Sequence, residues 1–341
     1  MNRLFGAGFA LRWRLQSITM ATDQVPVILE KSSSVVSSPP LERRHRITVV
    51  LCFLAIYLIW GSTYLAIRYA VEGIPPLYTA GFRHLFAGSI LIAWCLAKRL
   101  RPTWAQIRAS IIIGFFFFLI GHGALHWAEQ KVPSGLASLL IASEPIWVFL
   151  LSAATAKQWH WNASLLTGSL LGLGGVGLLM GRSALTSVPG MFISSLAVVI
   201  SALSWSIGVV YSRRSHLSGN PLLLSALSLL AGSAQLLLVG TLAGEYRGFS
   251  LAAVSMRSWL SLGYLIVFGS VVAFTAYNWL MEHYPPTLVA THTFINPIVA
   301  VLLGWLLASE AVTFNVLVSA AMVVSAVILV ERGMARLPQR V

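Results

Sequence analysis

Apolar stretches of about twenty residues recur from Thr48 to Val330, separated by short segments that carry most of the Gly, Pro, Lys and Arg punctuation. At a rise of 1.5 Å per residue, about 20 helical residues cross a hydrocarbon core of roughly 30 Å. The pattern predicts helices near 48–71, 78–97, 109–128, 134–156, 163–181, 190–212, 221–243, 258–280, 286–308 and 312–331. The expected fold class is all-α integral membrane, with ten transmembrane helices.

The pattern also repeats. A shift of 145 residues sets Trp60 on Trp205, Arg68 on Arg213 and Pro76 on Pro221, and a shift of 152 sets Pro133 on Pro285 and Pro145 on Pro297. Each copy spans five helices, and because five is odd the second must enter the membrane from the opposite face. Two inverted five-helix repeats are the arrangement on which alternating-access transporters are built. The domain reading is a disordered basic extension over 1–46, a first repeat over 47–182, a second over 190–331 and a cytoplasmic tail over 332–341.

Composition agrees: 57% of residues are apolar and 10% charged, against about 25% charged in a soluble domain. The net charge of +13 would suggest nucleic acid in a soluble protein. Here the basic residues lie mainly in short loops and at the termini, which points to anionic lipid and topology instead. With the N-terminus inside, thirteen Lys and Arg, from Arg43 to Arg340, fall on the cytoplasmic side, and only Lys131, Arg182, Arg247 and Arg257 on the other. Both termini are therefore expected in the cytoplasm. Cys52 and Cys95 lie within apolar stretches and offer no disulfide or metal spacing.

Several residues stand out as candidate chemistry. Glu144 falls near the expected midplane, where a carboxylate must pair, face water or take up a proton, so it is the first candidate for proton coupling; a structural pair with an in-membrane arginine is the alternative. Pro145 and Pro297 lack amide protons, which frees the carbonyls of Ile141 and Thr293. Matched helix breaks in two repeats mark a binding site, or else simple kinks, and Asn296 supplies an amide beside the second. Arg83 is read three ways: snorkelling to the interface, holding an anionic substrate group, or neutralising Glu144. Arg68 reads as an interfacial anchor.

His122, His126 and Glu129 share one helix face. They read as cavity-lining polar groups, structural hydrogen bonders or a metal site, the last without a fourth ligand; His292 divides in the same way between lining and structure. Trp60, Tyr64 and Trp205, with Tyr57, Tyr211 and Tyr277, could stack on a flat or cationic ligand or pack the core. The series Gly168, Gly172, Gly177, Gly181 suits close helix packing or a homodimer face. No phosphate-loop pattern and no Gly-x-Ser-x-Gly or His-Glu-x-x-His run occurs.

The stretch Tyr57-Leu-Ile-Trp-Gly-Ser-Thr-Tyr, Pro75-Pro76 followed by Arg83, the run Lys131-Val-Pro-Ser-Gly-Leu-Ala, and Asn296-Pro297 with Gly304 and Glu310 resemble EamA-type permeases of the drug/metabolite transporter superfamily, most nearly the YedA-like subgroup. The resemblance covers about residues 48–331. It implies two five-helix halves around a central cavity, and export of amino acids, metabolites or toxic compounds. His122 and Glu144 depart from the pattern, standing where a small polar and an apolar residue are expected. The resulting expectation is a secondary active inner-membrane exporter of small organic metabolites or drugs, amino-acid-like or amphipathic, proton-coupled and working by alternating access. A lipid flippase or a membrane-embedded enzyme is the alternative. The expected partners are a small-molecule substrate and membrane lipids; no cofactor, metal or nucleic acid is expected.

Overall fold

The computed structural model describes residues 40–156, 163–184, 188–215, 220–284, 286–289 and 291–335. The expectations placed on 1–39, Lys157, Pro285, Arg336 and Arg340 lie outside them. Nine helices among the described residues are long and apolar enough to cross a membrane: α1 (Arg44–Val71), α2 (Pro76–Ala97), α3 (Trp104–Ala128), α4 (Ser134–Ala154), α5 (Ala163–Gly181), α6 (Met191–Arg214), α7 (Pro221–Leu242), α8 (Met256–Met281) and, after a shorter apolar helix α9 (His292–Ala308), α10 (Phe314–Gly333). The span expected near 286–308 corresponds to the shorter apolar helix α9, preceded by a one-turn helix, Pro286–Val289, and is not among these nine.

The helix starts follow from local chemistry. Pro76 and Pro221 sit in the first turns of α2 and α7, where a missing amide proton costs nothing. Thr103 and Gln106 form a capping box at α3, and Ser255 accepts from the Ser258 amide at α8. Large apolar side chains such as Leu170, Leu242 and Phe314 remain exposed on the outside, as a lipid-facing surface requires.

Packing pairs α2 with α7, α4 with α9, and α5 with α10; α1 lies on α8 and α9, and α6 on α3 and α4. Adding five to each number in the first half, and subtracting five in the second, carries this set into itself. Glycines permit the closest approaches. A Cβ on Gly172 would fall 2.1 Å from Ile146 Cδ1, and one on Gly168 2.9 Å from Leu329 Cβ, so these two pack inside the chain against α4 and α10.

The connections gather at two ends. At one, Lys131 donates to the Pro189 carbonyl at 3.0 Å, Arg257 pairs with Glu72, and Arg68 pairs with Glu310. We call this the latch end. The opposite, basic end holds Lys98, Arg99, Arg213 and Arg214. The start of α1 is there too, with His45 and Tyr284 hydrogen-bonded at 3.1 Å, as is the end of α10, where Ser164 donates to the Leu329 carbonyl at 2.8 Å.

Candidate functional site

Among the described residues, three spans contain π-helical stretches: Ala55–Ile59 in α1, Phe115–His122 in α3 and Leu265–Val272 in α8. A wide turn disturbs the regular backbone ladder, and at membrane depth no water replaces the missing donors. Each stretch is met by a side chain from a neighbouring helix. In α3, Ser201 donates to Gly121 O at 2.7 Å and Ser204 to Phe116 O at 2.8 Å. In α8, Trp60 Nε1 donates to Gly269 O at 3.1 Å. In α1, Asn296 turns its amide nitrogen toward Ile56 O and Tyr57 O, both at 3.2 Å, and toward His292 O at 3.1 Å, the orientation its three acceptors dictate.

These donors frame an aromatic cage. Trp60 lies 5.3 Å from Tyr277, 5.7 Å from Phe274 and 5.0 Å from His292, centroid to centroid, with the last two edge-on. His292 donates through Nδ1 to the Val289 carbonyl at 2.9 Å, at the turn that precedes α9. All four rings are half-buried. Glu144 stands within electrostatic range of Tyr277 and Tyr64, and of Arg213 and Glu331 from the basic end. It begins the second segment of α4, after a break at Ala142–Ser143, and its carbonyl accepts from Ser206 Oγ at 3.2 Å. Glu144 is half-buried and forms no ion pair among the described residues. A carboxylate within electrostatic range of an aromatic cage suits an amine or other organic cation.

Trp205 occupies the corresponding place in the second half. It stacks on Phe117 at 4.2 Å and on His122 at 5.2 Å. His122 is the α3 counterpart of Phe274 at the shift of 152, so each tryptophan meets an equivalent position. His122 Nδ1 and His84 Nε2 lie 2.8 Å apart, one donating to the other, and His126 Nδ1 donates to the His122 carbonyl at 2.7 Å. Arg83 is only 4% exposed and donates through Nε to Ser270 Oγ at 3.0 Å.

At the latch end, Glu310 organises the start of α4. Its carboxylate accepts from Arg68 Nη1 at 2.6 Å, from the Ser134 amide at 2.7 Å and hydroxyl at 2.8 Å, and from the Gly135 amide at 3.0 Å. A carboxylate there completes the orphan amides of a helix N-terminus. Ser309 takes a left-handed φ of 52°, and the Glu310 amide donates back to Gly304 O at 3.0 Å, which aims the side chain. Gly304 is required because a Cβ there would sit 2.5 Å from Glu310 Oε2. Glu245, in the α7–α8 connection, does the same for α2, accepting from the Leu77 and Tyr78 amides at 3.1 and 3.0 Å. Burial raises its carboxyl above the usual range and the two amides pull it back.

Trp60, Asn296, His292 and Tyr57 therefore come together at the α1–α9 junction, with Glu144 and Tyr64 close by. Trp205, His122 and Arg83 belong to a separate polar line along α2 and α3. Three expectations need correction. Pro145 is buried in the first turn after a true break, but Pro297 lies inside a continuous helix that begins only after a turn at Thr291. Arg83 does not neutralise Glu144; the carboxylate in its range is Glu129. Arg68 is an ion-pair partner as well as a group near the interface. Ser270 and His84 carry no sequence motif of their own, and Phe274 is marked only as the repeat counterpart of His122.

An apolar cleft of about 350 Å³ lies elsewhere. Leu139, Pro297, Val301, Leu302, Trp305 and Val316 line it between α4, α9 and α10, and its exposed side chains open it sideways.

These features define a polytopic α-helical membrane protein with polar and aromatic groups gathered inside its bundle. The EamA-like transporter family model matches twice, over residues 47–181 and 192–332. The chain is 34% identical over 286 residues to the uncharacterized inner membrane transporter YedA of Escherichia coli K12, covering 82% of this chain and 89% of that one. It is 26% identical over 285 residues to the uncharacterized transporter YoaV of Bacillus subtilis 168, covering 81% and 94%. A solved crystal structure 21% identical overlays with a TM-score of 0.57, covering 83% of this chain and 96% of its own, and so shares the fold. The chain belongs to the EamA-like transporter family.

Proposed function

We propose that the protein is a secondary active exporter of small amphipathic organic compounds bearing an amine or cationic group, in a bacterial-type inner membrane. The observation that carries this reading is the aromatic cage of Trp60, Phe274, Tyr277 and His292, with Glu144 in range, at the break in α4 and the turn before α9. The helix pairing maps onto itself when the halves are exchanged, which supports an inverted repeat and alternating access. The basic end faces the cytoplasm by the positive-inside rule. Closure by the Arg68–Glu310 and Glu72–Arg257 pairs then describes a state sealed toward the outside. Glu144 couples export to proton entry, exchanging a proton as the cationic group leaves.

Ethidium, a flat organic cation, tests this in sealed inside-out vesicles energised by respiration. Wild type accumulates it; Trp60→Ala weakens binding roughly 2- to 30-fold, the range for a cation over an aromatic face worth about 0.5–2 kcal/mol; Glu144→Gln abolishes uphill accumulation. Uptake equal to that of empty vesicles removes the cation reading. One observation favours a lipid flippase instead: the sideways apolar cleft, with room for an acyl chain. Movement of a labelled phospholipid between leaflets, without ethidium transport, would select it.

A further inference from the structure

Glu129, the residue that follows α3, is 1% exposed, and neither carboxylate oxygen has a well-formed hydrogen bond, although the Arg68 backbone amide approaches it. Charged groups surround it without pairing. From α1, Tyr64 and Arg68 lie in its field; from α2, Arg83; from the α9–α10 connection, Glu310, already held by Arg68 and the start of α4. On its own helix, His126 presents a buried Nε2 with no partner, since its Nδ1 donates to the His122 carbonyl. The facing part of α6, Met191–Ser204, carries no titratable side chain. Lys131, two residues on, turns to the Pro189 carbonyl.

A charged carboxylate buried without a well-formed hydrogen bond is among the costliest groups a protein can hold, whereas its neutral form is tolerated. We infer that Glu129 is a proton-binding site beneath the latch, the outer station of the exporter's proton path. Uptake of one proton from water converts the carboxylate to a neutral carboxyl. Its release restores a charge that Arg68 and Arg83 are placed to stabilise. Because the Arg68–Glu310 latch closes over this region, exchange with water requires the latch end to open, and this ties the proton to the transport cycle. Burial first, and the nearby Glu310 second, hold the carboxyl well above the usual carboxylate range. The use of the proton rests on the transport reading; its binding does not.

The test is therefore infrared spectroscopy of the full chain in liposomes, which needs no substrate. Read in a Glu144→Gln background, which removes the other proton-exchanging carboxyl, the chain should show a protonated-carboxyl band at neutral pH that shifts on deuteration. Adding Glu129→Gln, nearly the same shape, should remove it, and adding Glu129→Asp should keep it at a moved frequency, which guards against misfolding of the first variant. In the vesicle assay Glu129→Gln should lose gradient-driven ethidium accumulation while retaining downhill ethidium exchange. In the Glu144→Gln background, absence of the band with Glu129 present, or its persistence when Glu129→Gln is added, overturns the proposal, even if wild type transports ethidium. The band's loss when Glu129→Gln is added upholds the proton site even if wild type moves no ethidium.

Discussion

Arg68 and Glu310, 242 positions apart in the chain, meet at 2.6 Å, and the same carboxylate that receives the guanidinium also receives the first amides of α4. Side-chain exposures of 32% and 7% place this pair at the boundary between water and interior. One carboxylate thus fastens α1, α4 and α9 together at the latch end.

This contact predicts an unusual equivalence. Gly304→Ala places a methyl 2.5 Å from Glu310 Oε2 and 3.0 Å from Ser134 Oγ, so it should displace the carboxylate and mimic Glu310→Ala. Each should cost roughly 1–3 kcal/mol, as expected when a partly exposed charged acceptor is lost from amide donors. The double variant should be no worse than Glu310→Ala alone. Thermal unfolding in detergent measures all three; additive losses would show that Gly304 acts through something else.

The carbonyls of the α1 π stretch predict a second effect. Asn296→Leu removes the amide that serves Ile56 O and Tyr57 O and leaves both without that donor. A loss of roughly 1–3 kcal/mol follows for each carbonyl left unsatisfied, while Asn296→Gln should recover part of it. Unchanged stability in Asn296→Leu would mean that these carbonyls find other donors.

Arg83 and Glu144 are expected to behave independently. Arg83 donates to Ser270, and its carboxylate neighbour is Glu129. Arg83→Ala and Glu144→Gln should therefore have additive effects on thermal stability, within about 0.5 kcal/mol. At a pH high enough to ionise Glu129, combining Arg83→Ala with Glu129→Gln should instead relieve part of the single-variant loss. Relief from Glu144→Gln would place the charge partnership at the wrong carboxylate.

Glu129 gives the pH prediction. Its carboxyl is raised in the folded protein, so the fold keeps this proton to higher pH than the unfolded chain, whose carboxyl releases it near pH 4.3. Stability from this group is complete below about pH 4.3 and is lost as pH rises toward the folded value. Unfolding temperatures measured from pH about 5 to 9 should fall more steeply for wild type than for Glu129→Gln. Parallel curves would contradict the shift.

The sequence disclosed the elements whose cause is local. Apolar length marked the spans, Pro76 and Pro221 marked helix starts, and the Glu144-Pro145 pair marked the break in α4. It misplaced the second break because Pro297 is accommodated inside α9, whereas the turn at Thr291, six residues earlier, has no comparable residue to announce it. The π stretches were illegible for a related reason: their carbonyls are satisfied by Ser201, Ser204, Trp60 and Asn296, donors from other helices whose approach no local pattern encodes. Spacing did place His126 and Glu129 on one face. That Glu129 would be left without a well-formed hydrogen bond depended on where Arg68, Arg83 and Glu310 arrived.

The central claim is export through the cage within range of Glu144, and comparing the compounds outside growing cells tests it without choosing a substrate in advance. Cells overproducing wild type should release a small set of amine-bearing, amphipathic compounds at raised levels, and cells producing equal amounts of Glu144→Gln or Trp60→Ala should not. Identical extracellular profiles in wild-type and Glu144→Gln cells, with both proteins present in the membrane, would contradict the account.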